Sequence, residues 1–134
     1  MRVIISATFP AEPNPMANQQ VFIMRERMDD VLRKLGIPVP PNSTPGKAME
    51  ILSTTCRTQN CGPVMTGLTP YYVTAAKLDG SAKATLSATA ATGSYFVFAL
   101  VRTPAGSYIW DIPTNFAAGD NTITLTTANA ELIH

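Results

Sequence analysis

One segment in the second half of the chain, GSYFVFALVR at 93–102, is apolar on both faces of the strand that it predicts. Side chains alternate across a strand, which puts Tyr95, Val97 and Ala99 on one face and Phe96, Phe98 and Leu100 on the other. A strand with this pattern belongs at the centre of a sandwich. One of its faces must lie in the core, and the other must be covered by helices, a partner or a ligand.

Further segments with the composition of strands surround this central one. They lie at 3–9, 19–25, 70–78, 83–89, 107–113 and 122–127. Turn residues separate the later ones, as at Asp79-Gly80 and in TPAG at 103–106, and we expect Pro113 to end its strand. The pattern predicts a mainly β, antiparallel sandwich that occupies residues 1–134 as a single domain.

The pattern changes after the second predicted strand, over about 26–68. Its period becomes helical in a stripe formed by Met28, Val31, Leu32 and Leu35, and Gly36 is suited to end that helix. Thr44 as N-cap, with Pro45 in the first helical position, predicts a second helix over about 45–54. We therefore expect a two-helix insertion after the second strand, with the apolar stripe packed on the sandwich or across its open end.

Cys56 and Cys61 are the only cysteines, and four residues separate them. Structural zinc needs four ligands, and the chain adds one histidine, His134. Redox pairs usually have two intervening residues beside a helix start, whereas this pair follows a predicted helix. A disulfide and two free buried thiols remain. We favour a disulfide that closes the small loop 56–61, because this polar loop ends in Gly-Pro, and a disulfide is typical of an oxidising compartment.

The composition excludes several classes of protein. Charged residues make up 14% of the chain and the net charge is +1, so we expect no basic surface for nucleic acid. No apolar run is long enough to span a membrane. The N-terminal segment lacks the apolar core and cleavage site of a signal peptide. We expect an extracellular, cell-surface or periplasmic protein, with the signal peptide absent from this chain.

The residues do not form a recognisable catalytic pattern. A Ser-His-Asp triad would have to use His134, the last residue. Most acidic residues fall at predicted helix starts and turns, where capping and turn roles are expected. The sequence contains no phosphate-binding loop, dinucleotide fingerprint or calcium-binding ladder. We predict no catalytic residues, no metal site and no cofactor, and therefore a protein that is not an enzyme.

Two aromatic residues, Tyr108 and Trp110, share one face of the predicted strand 107–113. If they were exposed, their rings would form a platform on which sugars stack. Asp111, on the opposite face, requires solvent or a hydrogen-bond partner, which makes its face the outer one. We therefore expect Trp110 in the core, with a ligand platform formed by Trp110 and Tyr108 as the alternative.

Several segments resemble the carboxypeptidase regulatory-like domains, which are transthyretin-like (prealbumin-like) β-sandwiches of bacterial exported proteins. The matching residues are DGSAKATLSATAATGSYFVFAL (79–100), IWDIP (109–113), GDNTITLTTANA (119–130) and NPMANQQVFIM (14–24). Thr92-Gly93 stands where the family usually has Pro-Gly, and the helical insertion lies outside the family's minimal pattern. The resemblance implies an Ig-like sandwich of about seven strands that accompanies other domains and carries no catalytic residues.

Together these features predict a non-enzymatic extracellular module that mediates protein–protein contact or surface assembly. The Thr-rich segment TITLTT at 122–127 is a candidate sheet edge, and such an edge can pair with a strand of a protein partner or of a second copy. The alternative is a carbohydrate-binding module that uses exposed aromatic residues. A hydrolase is the less favoured third interpretation.

Overall fold

The computed structural model describes residues 1–10, 12–87 and 92–134, in which strands predominate. These strands are β1 (Arg2–Thr8), β2 (Gln20–Met24), β3 (Tyr72–Lys77), β4 (Lys83–Ser87), β5 (Gly93–Thr103), β6 (Gly106–Phe116), β7 (Asp120–Thr126) and β8 (Glu131–Ile133). They form a five-stranded sheet in the order β3-β2-β5-β6-β8 and a three-stranded sheet in the order β4-β1-β7. The mainly β sandwich with a helical insertion is confirmed. The end of the predicted strand 83–89 lies outside the described residues.

An apolar cluster fills the space between the two sheets. It includes Tyr95, Val97, Ala99 and Val101 of β5, Trp110 of β6, and Val3, Ile5, Ile123 and Leu125 of the small sheet. Phe98 and Leu100 belong to the opposite face of β5, where the helices cover them. The alternation predicted for these residues of β5 is therefore confirmed.

Three helices cover the outer face of the five-stranded sheet. They are α1 (Met28–Lys34), α2 (Pro45–Thr58) and α3 (Gly62–Leu68). Met28, Val31 and Leu32 are buried in a second apolar cluster with Phe98 and Ile109, so the stripe packs on the sheet as predicted. Thr44 caps α2 by accepting a hydrogen bond from the Lys47 amide over 3.1 Å. None of the helices in the described residues is long and apolar enough to cross a bilayer.

The third helix, α3, corrects the prediction of a two-helix insertion. Its sequence, GPVMTGL, contains two glycines and a proline, which favour a loop when the sequence is read alone. Proline is nevertheless tolerated in the first turn of a helix, where its missing N–H would have no partner. Leu68 is buried in the same cluster as α1 and α2, so tertiary packing stabilises this short helix.

Strand β6 does not end at Pro113, as predicted, but continues to Phe116. Pro113 pairs with Phe96 of β5, whereas β8 pairs with β6 only at residues 107–109. A proline beyond that point removes no hydrogen bond from the β6–β8 ladder. Because no strand pairs with this side of β6 beyond residue 109 in the described residues, Pro113 is tolerated within the strand.

One strand pair departs from the antiparallel sandwich that was predicted. β1 runs parallel to β7, from Arg2 beside Asp120 to Thr8 beside Thr126, while its other neighbour, β4, is antiparallel. Antiparallel direction is imposed by a short hairpin, and β1 and β7 are separated by most of the chain. The direction of β7 is instead set by its passage from β6, in one sheet, to the small sheet.

Candidate functional site: the edge of strand β7

Strand β7 forms one edge of the three-stranded sheet. Its partner on one side is β1, and no strand in the described residues pairs with its other side. Ile123 and Leu125 are buried in the core, and Thr122 and Thr124 are exposed, as the predicted alternation requires. The prediction that the Thr-rich strand is a sheet edge is therefore confirmed.

Hydrogen bonds show which backbone groups of β7 point away from β1. The Asn129 side-chain amide donates to the Thr124 carbonyl over 2.8 Å, and its Oδ1 accepts from the Thr126 N–H over 2.8 Å. The N–H and C=O of one strand residue point to one side, and those of the next residue point to the other. The even-numbered residues of β7 therefore direct their backbone groups to the open edge.

Asn129 covers the C-terminal half of this edge and leaves the N-terminal half open. Its amide takes the place of a neighbouring strand at Thr124 and Thr126. The N–H and C=O of Thr122 and the N–H of Thr124 remain without a partner in the described part of the chain. These groups and the adjoining Asp120, whose carboxylate contacts the Arg2 guanidinium over 2.7 Å, form what we call the open edge.

Asn129 is held in place by a short capping motif. Thr126 precedes a turn of 3-10 helix at Thr127–Asn129, and its Oγ1 accepts a hydrogen bond from the Asn129 N–H over 3.3 Å. The sequence signal is a threonine followed three residues later by asparagine, a spacing typical of a capping box. Such a motif predicts a helix start but does not indicate that the same amide covers a strand.

Trp110 connects this edge to the core. The indole is fully buried, and its N–H donates to the Thr126 carbonyl over 3.0 Å and to Oδ1 of Asn129 over 2.9 Å. The expectation that Trp110 is a core residue is confirmed, and the interpretation of its ring as a ligand platform is wrong. Tyr108 is partly exposed, and its ring lies edge-to-face with Phe9 at a centroid distance of 5.1 Å.

Cys56 lies in the last turn of α2, and Cys61 directly precedes α3. Their sulfur atoms are at disulfide-bonding distance, and the Cα atoms of Cys56 and Cys61 are 5.1 Å apart. The geometry agrees with the predicted disulfide. The bond joins two helix ends and lies on the helical layer, whereas the open edge belongs to the small sheet.

Asp111 lies on the outer face of the five-stranded sheet, as predicted, but α1 rather than solvent lies against it. Its Oδ2 accepts a hydrogen bond from the Met28 N–H over 2.9 Å at the start of α1, while its Oδ1 is buried without a hydrogen-bond partner. Burial raises the pKa of this carboxyl to about 6, although the Met28 N–H and the charge of Arg27 act in the opposite direction. Asp111 therefore fixes the helix start to β6.

Elsewhere in the described part of the chain, acidic and histidine side chains do not gather into a site with recognisable chemistry. Within the ranges that the structure describes, no three His, Cys, Asp or Glu residues are placed to hold a metal ion. The buried carboxylate of Asp29 pairs with Arg33 over 2.9 Å and with Arg27 over 3.1 Å, which ties α1 to its own flanks. These contacts explain local structure.

Comparison with known proteins does not identify a relative. No family model matches the chain, and no curated protein matches it. The function must therefore be argued from the residues and their arrangement.

Proposed function

We propose that this chain is a non-enzymatic extracellular β-sandwich module that makes protein–protein contacts, and that the open edge of β7 pairs with the same edge of a second copy. The observation that carries the proposal is the position of Thr122 and Thr124, two exposed residues of an edge strand, whose outward N–H groups have no partner in the described residues. An unpaired edge of this kind is a template for strand addition.

The geometry of the open edge favours an antiparallel arrangement about Thr122. Both backbone groups of Thr122 point outward, so two copies of this residue can exchange two hydrogen bonds. The Thr124 N–H then faces Asp120 of the second copy and can donate to its carbonyl. This register keeps the two Asp120 carboxylates apart, and a two-fold contact uses the same surface on both molecules.

Asn129 limits the contact to a few residues. We therefore expect the association of the two copies to be weak and reversible. A full β7–β7 pairing would need the Thr124 and Thr126 groups that Asn129 already holds. Small contacts of this kind are typical of transient interfaces, and several weak contacts can together support an assembly. Surface assembly is the role to which such an edge is best suited.

An extracellular or periplasmic location fits the cysteine pair, which lies at disulfide distance, and the low proportion of charged residues, 14%. The resemblance to carboxypeptidase regulatory-like domains supports the same role, since those domains accompany other domains and carry no catalytic residues. A carbohydrate-binding module could not use Trp110, because the fully buried indole cannot contact a sugar.

Sedimentation velocity over a range of protein concentrations tests the contact. Thr122→Pro removes one outward N–H and no hydrogen bond to β1, while Thr122→Ser keeps the N–H and serves as the matched control. We expect the wild type and Thr122→Ser to sediment faster as concentration rises, and Thr122→Pro to remain monomeric with a retained thermal transition. A wild type that stays monomeric throughout, or a proline variant that associates equally well, would overturn the proposal.

A further inference from the structure

A groove of about 170 Å³ lies between α2 and the outer face of the five-stranded sheet. It belongs to the helical layer, and no residue of β7 lines it. Sites for drug-sized ligands begin at about 300 Å³, so this groove suits a smaller molecule. Its floor is apolar and is formed by Leu100, Ile109 and Ile133.

The strand register places polar side chains at one end of this floor. Arg102 of β5 is directly opposite Ser107 of β6, and Ser107 is opposite Ile133 of β8. Residues that are directly opposite one another project from the same face of a sheet. This is the face that the helices cover, because Leu100, two residues before Arg102, packs against the apolar cluster beneath the helices. The Arg102 side chain therefore leaves the sheet on the side of α2.

One side of α2 forms the opposite wall of the groove. Gly46, Glu50, Ser53 and Arg57 line it, and their spacing of three and four residues places them on one side of the helix. Gly46 lies so close to β8 that an added Cβ would overlap Cδ1 of Ile133. The side of α2 that begins at Gly46 therefore faces the sheet, and Arg57 lies at its far end.

The two arginines of the groove have free hydrogen-bond donors. The Arg102 guanidinium makes no hydrogen bond or ion pair with the described residues. The Arg57 guanidinium donates a hydrogen bond to Thr54 Oγ1 over 3.2 Å. Glu50 also lines the groove, but its carboxylate lies 3.8 Å from Lys47 Nζ, which offsets its charge. Positive charge is therefore in excess along the groove.

We infer that this groove binds a phosphate monoester whose organic group is small and apolar. The two guanidinium groups suit the phosphate, since each can donate two parallel hydrogen bonds to it, and the hydroxyls of Ser53 and Ser107 are further donors. The apolar floor suits the organic group. A monocarboxylate carries less negative charge than a phosphate monoester, and a sugar would leave both guanidinium groups without a charged partner.

The probe is n-butyl phosphate, and inorganic phosphate and butyrate are the comparison compounds. In ¹H–¹⁵N NMR titrations at constant ionic strength, we expect saturable shifts of the Ser53, Ser107 and Ile133 amides at millimolar concentrations. Inorganic phosphate should bind more weakly by about threefold or more, because it lacks the apolar group, and butyrate should bind more weakly because it carries less charge. The inference is overturned if no shift saturates, or if either comparison compound binds as tightly as n-butyl phosphate.

Charge variants test the two arginines. Arg57→Gln and Arg102→Gln should each weaken the binding of n-butyl phosphate by about threefold to tenfold, because charge-assisted hydrogen bonds contribute less at an exposed site than at a buried one. Arg25→Gln makes the same charge change at an exposed residue that follows β2, outside the groove, and should leave binding unchanged. Equal effects of all three substitutions would mean that only the net charge of the protein attracts the anion. That result, or unchanged binding in either groove variant, would overturn the inference.

A further variant tests the position of the site without changing the charge. Ser53 is exposed on α2, so the ring of Ser53→Phe would cover the groove. The shifts of the Ser107 and Ile133 amides should then be lost while the rest of the spectrum is retained. Shifts that persist in this variant would place the anion elsewhere and contradict the inference. None of these substitutions alters β7, so the result is independent of the proposed contact between two copies.

Discussion

The indole N–H of Trp110 donates a hydrogen bond to Oδ1 of Asn129 over 2.9 Å, so one side chain satisfies a buried donor and also covers part of a sheet edge. The same amide group bonds to Thr124 and Thr126 on β7. The position of the edge is thus coupled to the packing of the core.

Replacing this asparagine should both destabilise the fold and lengthen the open edge. Asn129→Ala leaves the indole with the Thr126 carbonyl alone and removes the partners of the Thr124 C=O and the Thr126 N–H. We expect a loss of about 1–3 kcal/mol in the free energy of unfolding, measured by urea denaturation, and stronger self-association. Asn115→Ala, at an exposed site on β6, is the control and should change stability little. Equal stabilities for the two variants would contradict the role assigned to Asn129.

Leu32 should be among the residues on which the helical layer depends. It is fully buried between α1 and the five-stranded sheet, and Leu→Ala at such sites costs about 2–5 kcal/mol. Chemical denaturation of Leu32→Ala tests this. The matched control is Met65→Ala in α3, where the side chain is 52% exposed and a change near zero is expected. A loss of less than about 0.5 kcal/mol for Leu32→Ala would show that α1 does not pack as described.

The carboxyl of Asp111 should make stability depend on pH in the direction opposite to that of most carboxylates. Its pKa is raised to about 6 in the folded protein from an ordinary value of 3.8, so the folded state binds the proton more tightly than the unfolded state. Stability from this group is therefore lowest above pH 6 and rises as the pH falls from about 6 towards 4. A shift of this size corresponds to at most about 3 kcal/mol.

Asp111→Asn isolates this contribution, because the amide oxygen can still accept the hydrogen bond from the Met28 N–H. Unfolding free energies of both proteins are measured from pH 4 to pH 8. The wild type should gain stability relative to the variant as the pH falls below about 6 and should show a constant difference above pH 7. A difference that does not change with pH would mean that the carboxyl is not perturbed in the folded state.

The cysteine pair should be oxidised in the isolated protein. Intact mass after alkylation without reductant should show no modified cysteine, whereas reduction before alkylation should expose both Cys56 and Cys61. On the chain-entropy model a ring this small stabilises by about 2 kcal/mol, so the double variant Cys56→Ser/Cys61→Ser should fold with a modest loss. Two cysteines alkylated without reductant would refute the disulfide.

The spacing of apolar residues along the sequence correctly predicted the elements that bury one face in the core. The alternation of β5 and the stripe of α1 depend on which side chains face the core, and this information is contained in a few consecutive residues. The same reasoning placed Trp110 inward and Asp111 outward. It could not show that Asp111 meets the Met28 N–H, because that contact joins residues 83 positions apart.

Features that depend on contacts between residues far apart in the sequence could not be predicted from local patterns. The sequence pattern predicted the end of a strand at Pro113, and only the short reach of β8 explains why the strand continues. β8 itself has three residues, too few to show a period. It is held beside α2, where the Glu131 carboxylate accepts a hydrogen bond from the Gly46 N–H over 2.6 Å. The Thr-rich edge was predicted, but its partial cover by Asn129 was not.

The most direct test of the proposed contact is a concentration series of ¹H–¹⁵N NMR spectra of the wild-type protein. If two copies pair through the open edge, the amides of Thr122 and Thr124 should shift progressively as concentration rises. The Ile123 amide, which points towards β1, should shift less, and amides on the helical layer should not shift. Spectra that do not change with concentration, or changes centred on α2 and α3, would contradict the assignment of β7 as the contact surface.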